Sequence, residues 1–261
     1  MILELEEVTK KYPKRTGLFQ KNISFTAVHS VSFSIAKGES VGLVGESGCG
    51  KSTLAKLIMN IDFPTSGCIR VNKKLIEKKT HDRAFYKQIQ LVLQDSSSSL
   101  YPGMCVREII EEPVRNFFGL KGKNSLASVK RLLELVGLDD SFLRRFPHEL
   151  SGGQKQRICI AKALAVQPDL IIFDEAVASL DPPAQREIIH MLKNIQKQKG
   201  LSYLFITHDL RSAHQLCSRI MVMYQGKIVD TVKADNHQPP VHPYARLLFQ
   251  SLLKKEAKQL M

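Results

Sequence analysis

The sequence predicts an α/β fold, a mainly parallel sheet with a helical subdomain inserted into it. Three observations lead there. Apolar runs at Ser40–Val44, Ile89–Leu93, Asp169–Phe173 and Leu201–Thr207 alternate with helical patterns, the habit of buried parallel strands. A glycine-rich loop, Gly45–Ser52, stands between the first of these runs and a helix. The zone from about residue 95 to 160 carries little strand pattern and reads as helical.

Taken in order, residues 2–8 and Ala27–Ile35 alternate roughly with period two, as half-buried strands do. The basic segment between them, Lys10–Asn22, contains Pro13 and Gly17 and reads as loop. Tyr12 lies there among lysines; its ring can stack on a nucleotide base or simply pack at a strand end.

The next stretch, Gly45, Glu46, Ser47, Gly48, Cys49, Gly50, Lys51, Ser52, is the G-x-x-x-x-G-K-[ST] phosphate loop, and Thr53 opens the helical pattern to Ile61. Its glycines let backbone N–H groups converge into an anion nest, with the positive end of the helix behind them. Lys51 can reach the β- and γ-phosphates, and the Ser52 hydroxyl can ligate Mg²⁺. A plain strand-to-helix turn with a surface lysine fits the complete motif less well. By itself the loop specifies a nucleoside triphosphate and no particular use for it.

Pro64–Gly67 reads as a turn, Cys68–Val71 as a strand and the basic stretch to Lys79 as exposed. Ile89–Leu93 is a buried strand ending at Gln94, and Ser96–Pro102 a polar loop. Val106–Phe117 has helical spacing, with Pro113 expected to end or kink it. Ser128–Val136 is an amphipathic helix closed by Gly137, and Lys155–Val166 another helix. Asp169–Phe173 ends in Asp174 and Glu175. Pro183–Gln198 is a helix ended by Gly200, Leu201–Thr207 a strand ending in His208, and Leu210–Arg219 a helix. Ile220–Val232 is a hairpin turned at Gln225-Gly226.

Composition fits this reading. The 261 residues make one large domain or two small ones, 43% apolar and 24% charged. No stretch approaches the ~20 apolar residues of a membrane helix. The N-terminal residues lack a signal-peptide pattern, so a cytosolic chain is expected. The five cysteines have no metal-site spacing. Cys49, near a helix N-terminus, is either a thiol of lowered pKa or a small filler. The net charge of +13 is spread along the chain without interleaved aromatics, which is weak evidence for nucleic acid or an anionic membrane face.

In open parallel sheets ligands gather at the C-terminal strand ends. The phosphate loop, Gln94, Asp174, Glu175 and His208 all fall at such ends. Asp174 can hold Mg²⁺ beside the Ser52 oxygen. Glu175, alternating to the other side of the chain, can accept a proton from an attacking water or orient it. Gln94 can touch the metal or the water through its amide oxygen, and His208 can hydrogen-bond the γ-phosphate. Leu150-Ser151-Gly152-Gly153-Gln154 before a helix is a second anion nest, without a lysine. A head-to-tail dimer explains two nests and one lysine, each Ser-Gly-Gly closing over the ATP on the other subunit's phosphate loop.

With these motifs in this order the chain resembles the ATP-binding subunit of ABC transporters across nearly its whole length. Gly45–Thr53 matches the Walker A motif, Gln94 the Q-loop, Leu150–Gln154 the family signature and Leu170–Glu175 Walker B with its catalytic glutamate. Ser179-Leu180-Asp181 matches the D-loop, His208 the switch histidine and Tyr12 the aromatic that stacks on adenine. The insertion around Tyr12–Asn22 and the tail His242-Pro243-Tyr244 are similar to those of oligopeptide, dipeptide and nickel importers. Val106–Pro113 and Asp174–Asp181 look most like the second ATPase subunit of nickel importers. Ala176 stands where most relatives have Pro, and Leu93 where they have Phe; neither removes a catalytic group. No C-terminal cysteine cluster is present, so no iron–sulfur cluster is expected.

The resemblance implies a P-loop NTPase core with an N-terminal antiparallel β portion, an ABC domain over 1–237 with the helical subdomain inside it, and a helical tail over 238–261. It implies an ATPase using ATP and Mg²⁺. Glu175, His208 and Gln94 would be catalytic, and Ser52, Gln94 and Asp174 would hold the metal. Tyr12, Gly45–Thr53, Ser151, Gly152, Gly153, Gln154 and Asp181 would bind nucleotide. Expected partners are a second ATP-binding subunit (a sister or a copy), two integral membrane permeases and an extracytoplasmic substrate-binding protein, with no nucleic acid. The expected place is the cytoplasmic face of the inner membrane, held peripherally. The alternative is a soluble ABC ATPase acting on nucleic acid or ribosomes, which the charge alone suggests.

Overall fold

A computed structural model describes residues 1–14, 23–77, 82–234 and 239–250. The elements run β1 (Leu3–Lys14), β2 (Ile23–Ile35), β3 (Ser40–Val44), α1 (Lys51–Ile58), β4 (Ser66–Val71), β5 (Lys74–Leu75), α2 (Arg83–Gln88), β6 (Ile89–Leu93) and α3 (Ser96–Ser99). They continue with α4 (Val106–Phe118), α5 (Gly122–Leu135), two short 3-10 turns, α6 (Gly152–Leu164), β7 (Leu170–Asp174), α7 (Pro182–Lys199), β8 (Ser202–Thr207), α8 (Leu210–Leu216), β9 (Arg219–Tyr224) and β10 (Lys227–Lys233). Residues 243–250 are helical; the rest of the expected tail, 251–261, lies outside the described residues.

The chain divides into two compact units, Met1–Thr80 with Leu204–Met261, and His81–Tyr203. The first holds an antiparallel sheet in the order β2-β1-β4-β5 and the strand order β10-β9-β3-β8. In the antiparallel sheet Leu3 faces Ile35 and Val71 faces Leu3, with Leu3, Leu5, Val8, Val31 and Ile35 buried on one side. That is the half-buried pattern the period-two alternation predicts. Strand β3 is buried at every residue and runs parallel to β9.

In the second unit β6 and β7 are parallel, in a register that pairs Leu93 with Asp174. Its helices are the long-spaced apolar faces of the middle zone. Helix α4 buries Val106, Ile109, Ile110, Pro113 and Val114 and packs on α5 and α6. Helix α7 starts at an Asp181 cap with Pro182 and Pro183 in its first turn, and ends at Gly200 in the left-handed region.

Several expectations change. Residues 10–14 are strand: Tyr12 pairs with Phe25 across β1 and β2, a long-range partner that overrides the local Pro and Lys signal. The loop expected at 15–22 lies outside the described residues. Ser96–Ser99 is one helical turn, because Asp95 accepts the Ser97 and Ser98 N–H groups. Helix α4 runs through Pro113, whose place on the buried stripe offsets the missing hydrogen bond. Helix α5 begins at Gly122, well before Ser128. Leu93 is 44% exposed, so β6 is not buried to its end. Arg219 opens β9 and does not close a helix.

Candidate functional site: a phosphate loop and a serine-capped glycine turn

The phosphate loop is built by steric necessity. Gly50, the N-cap of α1, sits at φ 112, and a Cβ there would lie 2.3 Å from the Ala27 carbonyl oxygen. A Cβ on Gly45 would lie 2.2 Å from the Met223 carbonyl oxygen. The loop therefore threads between β2 and β9 where only glycine fits. Gly48 is exposed with φ 80, and a Cβ there would meet nothing within 4 Å, so its backbone conformation and not crowding favours glycine.

Lys51 is 4% exposed, and its ammonium donates to the carbonyl oxygens of Gly45 and Glu46, each at 2.8 Å. Two neutral carbonyl oxygens thus satisfy two of the buried ammonium's donors. Ser52 is exposed on the first turn of α1, and Thr53 half-buried. Cys49 is buried, and burial raises its thiol pKa above the ordinary value although Lys51 pulls the other way. Burial therefore favours the filler reading of Cys49 over a thiol of lowered pKa.

Tyr12 is half-buried in β1, its hydroxyl donating to Asp62 at 2.6 Å and hydrogen-bonded to Thr53. Asp62 also holds the Lys10 ammonium at 2.5 Å, and that ammonium lies 4.9 Å from the Tyr12 ring centre. Asp62 is a member of this cluster that sequence reasoning missed; fifty residues separate it from Tyr12, and no local pattern marks it. His208 is exposed one residue beyond β8, where Asp209 caps α8 by accepting from Arg211 and Ser212.

The second unit carries the other predicted residues. Gln94 is exposed directly after β6, and Asp174 ends β7 half-buried. Because Leu93 pairs with Asp174, Gln94 and Glu175 leave adjacent strands at the same level. Glu175 has φ 52, the left-handed region. The simple strand alternation expected for it is therefore wrong: the chain turns at Glu175, in a backbone state costly for a non-glycine residue. Sequence shows no turn residue there, and none of its periodicity signals the change.

Ser151 caps α6 reciprocally: its hydroxyl accepts the Gln154 N–H at 3.3 Å, and the Gln154 side-chain oxygen accepts the Ser151 N–H at 2.9 Å. Ser151, Gly152, Gly153 and Gln154 line a cleft of about 580 Å³ together with Ser179, Leu180 and Asp181. Asp181 caps α7 through the Ala184 N–H at 2.8 Å. Arg157 lines the same cleft, bonded to the Val136 carbonyl and to Glu187. A Cβ at Gly152 or Gly153 would meet its own chain only at 3.5 Å, so internal packing does not demand glycine at either position.

A caged lysine in a glycine loop at the end of a buried strand defines a P-loop nucleotide-binding protein. The ABC transporter family model matches residues 28–178. The chain is 43% identical to the oligopeptide transport ATP-binding protein AppF of Bacillus subtilis, over 96% of this chain and 78% of that one. It is 43% identical to the nickel import ATP-binding protein NikE of Escherichia coli, over 88% of this chain and 86% of that one. A dimeric ATP-binding cassette in a post-hydrolysis state with ADP and Pi superposes with TM-score 0.77 at 27% identity, covering 90% of this chain and 99% of that one. The chain belongs to the ABC transporter family, whose ATP-binding domains hydrolyse ATP.

Proposed function

We propose that the chain is the motor subunit of an ABC importer, coupling ATP binding and hydrolysis to uptake of nickel or of oligopeptides and dipeptides. The observation that carries this reading is the Ser151–Gln154 turn. It shares a cleft with Asp181 and has a capped helix N-terminus, and no described lysine lines that cleft: the next residue, Lys155, reaches Ser97 at 3.4 Å. Such a turn suits an anion held mainly by a second subunit's phosphate loop. Glycines that internal packing does not require fit a partner's close approach there. The names of the nickel and oligopeptide relatives support the cargo class.

In this reading Gly45–Thr53 binds the phosphates, with Lys51 as the charge, and Tyr12 stacks on the adenine. Ser52, Gln94 and Asp174 are oxygen donors of the kind Mg²⁺ takes, and the bound ion would neutralise phosphate charge. Glu175 orients or deprotonates the attacking water, and His208 contacts the γ-phosphate. The domain runs over 1–237, with its helical part about 95–160 facing two permeases, and the tail over 238–261. The working unit is a head-to-tail pair of ATP-binding subunits under those permeases, on the cytoplasmic face of the membrane, served by a substrate-binding protein. No described helix is long and apolar enough to cross a membrane, which suits a subunit that relies on permeases for the crossing.

The test is uptake of ⁶³Ni and labelled peptides in a deletion strain, with affinity purification from membranes. Loss of one uptake and co-purification of two integral membrane proteins are expected. Unchanged uptake of both, with salt-sensitive retention on DNA or RNA, would sink the transporter reading.

A further inference from the structure

The His242-Pro243-Tyr244 motif has no role in the reading above, yet its local structure is well determined by contacts. Asp230 on β10 accepts the Val241 N–H at 2.7 Å and the His242 N–H at 2.9 Å. His242 Nδ1 in turn accepts the Tyr244 N–H at 3.2 Å, capping the helical residues 243–250. Pro243 begins that helix, where its missing N–H needs no partner. Ala245 is fully buried, and Arg246 donates to the Pro240 carbonyl at 2.8 Å.

This seat aims Tyr244 at the phosphate loop. Its ring stacks on Tyr224, the last residue of β9, with centres 4.3 Å apart and planes at 29°. Its hydroxyl oxygen accepts the Glu46 N–H at 3.0 Å. Glu46 is the hub of the loop: its carbonyl receives the Lys51 ammonium at 2.8 Å and the Cys49 N–H at 3.3 Å. The Cys49 carbonyl accepts the Gly226 N–H at 2.9 Å, from the turn after Tyr224. One hairpin thus braces the loop at Cys49 directly and at Glu46 through the tail. All of these residues belong to the first unit.

We infer that Tyr244 is a positioning residue for ATP binding, holding the Glu46 peptide so that the loop keeps its phosphate-ready shape. The inference rests on the reading that this loop binds ATP. Burial raises the Tyr244 pKa despite the Glu46 N–H, so the phenol stays neutral through the physiological range. Without the hydroxyl the loop visits other conformations, and apparent affinity falls by the fraction of time it is not competent.

The test is calorimetric titration of the purified full chain with Mg·AMP-PNP, beside nucleotide-free thermal unfolding. Tyr244→Phe keeps the stacked ring and removes one hydrogen bond. It should raise Kd about three- to tenfold, lower the nucleotide-free Tm by no more than the loss of one hydrogen bond does, and in the assembled transporter raise KM with little change in kcat. Asp230→Ala, which unpins the tail, should weaken binding similarly. The double variant should be no weaker than the worse single one. An unchanged Kd in Tyr244→Phe overturns the inference and leaves ATP binding by the wild type intact. A Kd change with a nucleotide-free Tm that falls by more than the loss of one hydrogen bond explains also overturns it, in favour of simple packing. Wild-type protein that fails to bind Mg·AMP-PNP overturns the underlying reading and this inference with it.

Discussion

The Lys51 ammonium lies 2.8 Å from the carbonyl oxygen of Gly45, the residue that begins its own loop. The lysine is thus held across the loop, and in the proposed function it would exchange carbonyl dipoles for a phosphate charge. Lys51→Ala should lower ATP affinity at least about tenfold, the weight of one charge-assisted hydrogen bond or more. It should also lower the nucleotide-free Tm, because two carbonyls lose their donor. Titration calorimetry and thermal unfolding check the two effects separately. Wild-type affinity in the variant contradicts the loop's proposed use.

Glu175 stands in a left-handed backbone state where β7 ends. Glu175→Gln keeps size and shape but removes the basic oxygen. ATP binding should persist, kcat should fall about 100-fold or more, and a closed dimer should accumulate with ATP on a sizing column. Hydrolysis close to the wild-type rate would remove Glu175 from the base's role.

The Ser151–Gln154 capping box separates stability from activity. Ser151→Ala should cost about 0.5–2 kcal/mol of unfolding free energy, read by denaturant titration. If the turn also completes a partner's nucleotide site, hydrolysis falls while ATP binding by isolated subunits stays normal. For the wild type, the same reading predicts specific activity that rises with protein concentration. A rate independent of concentration speaks for a self-sufficient monomer.

Tyr12 and Asp62 titrate in opposite senses. Burial, and then the Asp62 carboxylate, push Tyr12 up to about 12 from an ordinary value of 10.0. Its contribution to stability is therefore full below pH 10 and declines as the pH rises towards 12. Burial alone would raise Asp62, but Lys10 and Tyr12 hold it below its ordinary 3.8. Its contribution is present above that value and is lost as the pH falls below it. The difference in unfolding free energy between wild type and Tyr12→Phe should be constant between the ordinary Asp62 value of 3.8 and pH 10, and shrink on either side. A difference that stays flat to pH 12 would contradict this account.

Much of the fold is legible in local pattern. The apolar runs give β3, β6 and β7 to within a residue, and Gly200 and Asp181 mark the ends of α7. The phosphate loop can be read residue by residue, because its geometry demands glycine at Gly45 and Gly50. What stays illegible is decided by distant partners. Residues 10–14 join a strand through pairing with β2, and α4 passes Pro113 because its stripe is buried on α5 and α6. The capping box at Ser151 is sequence-local and could have been found from the Ser-x-x-Gln spacing alone.

By itself, then, the sequence determined the element types, the family and the chemical identity of each candidate group, since these follow from residue type and short-range spacing. Only the tertiary structure decided how those groups are held. It put Tyr12 on Asp62, buried Cys49, turned the chain at Glu175 and set Tyr244 against Glu46. Those contacts join residues from 50 to 198 positions apart, or depend on burial, and a local pattern carries neither kind of information.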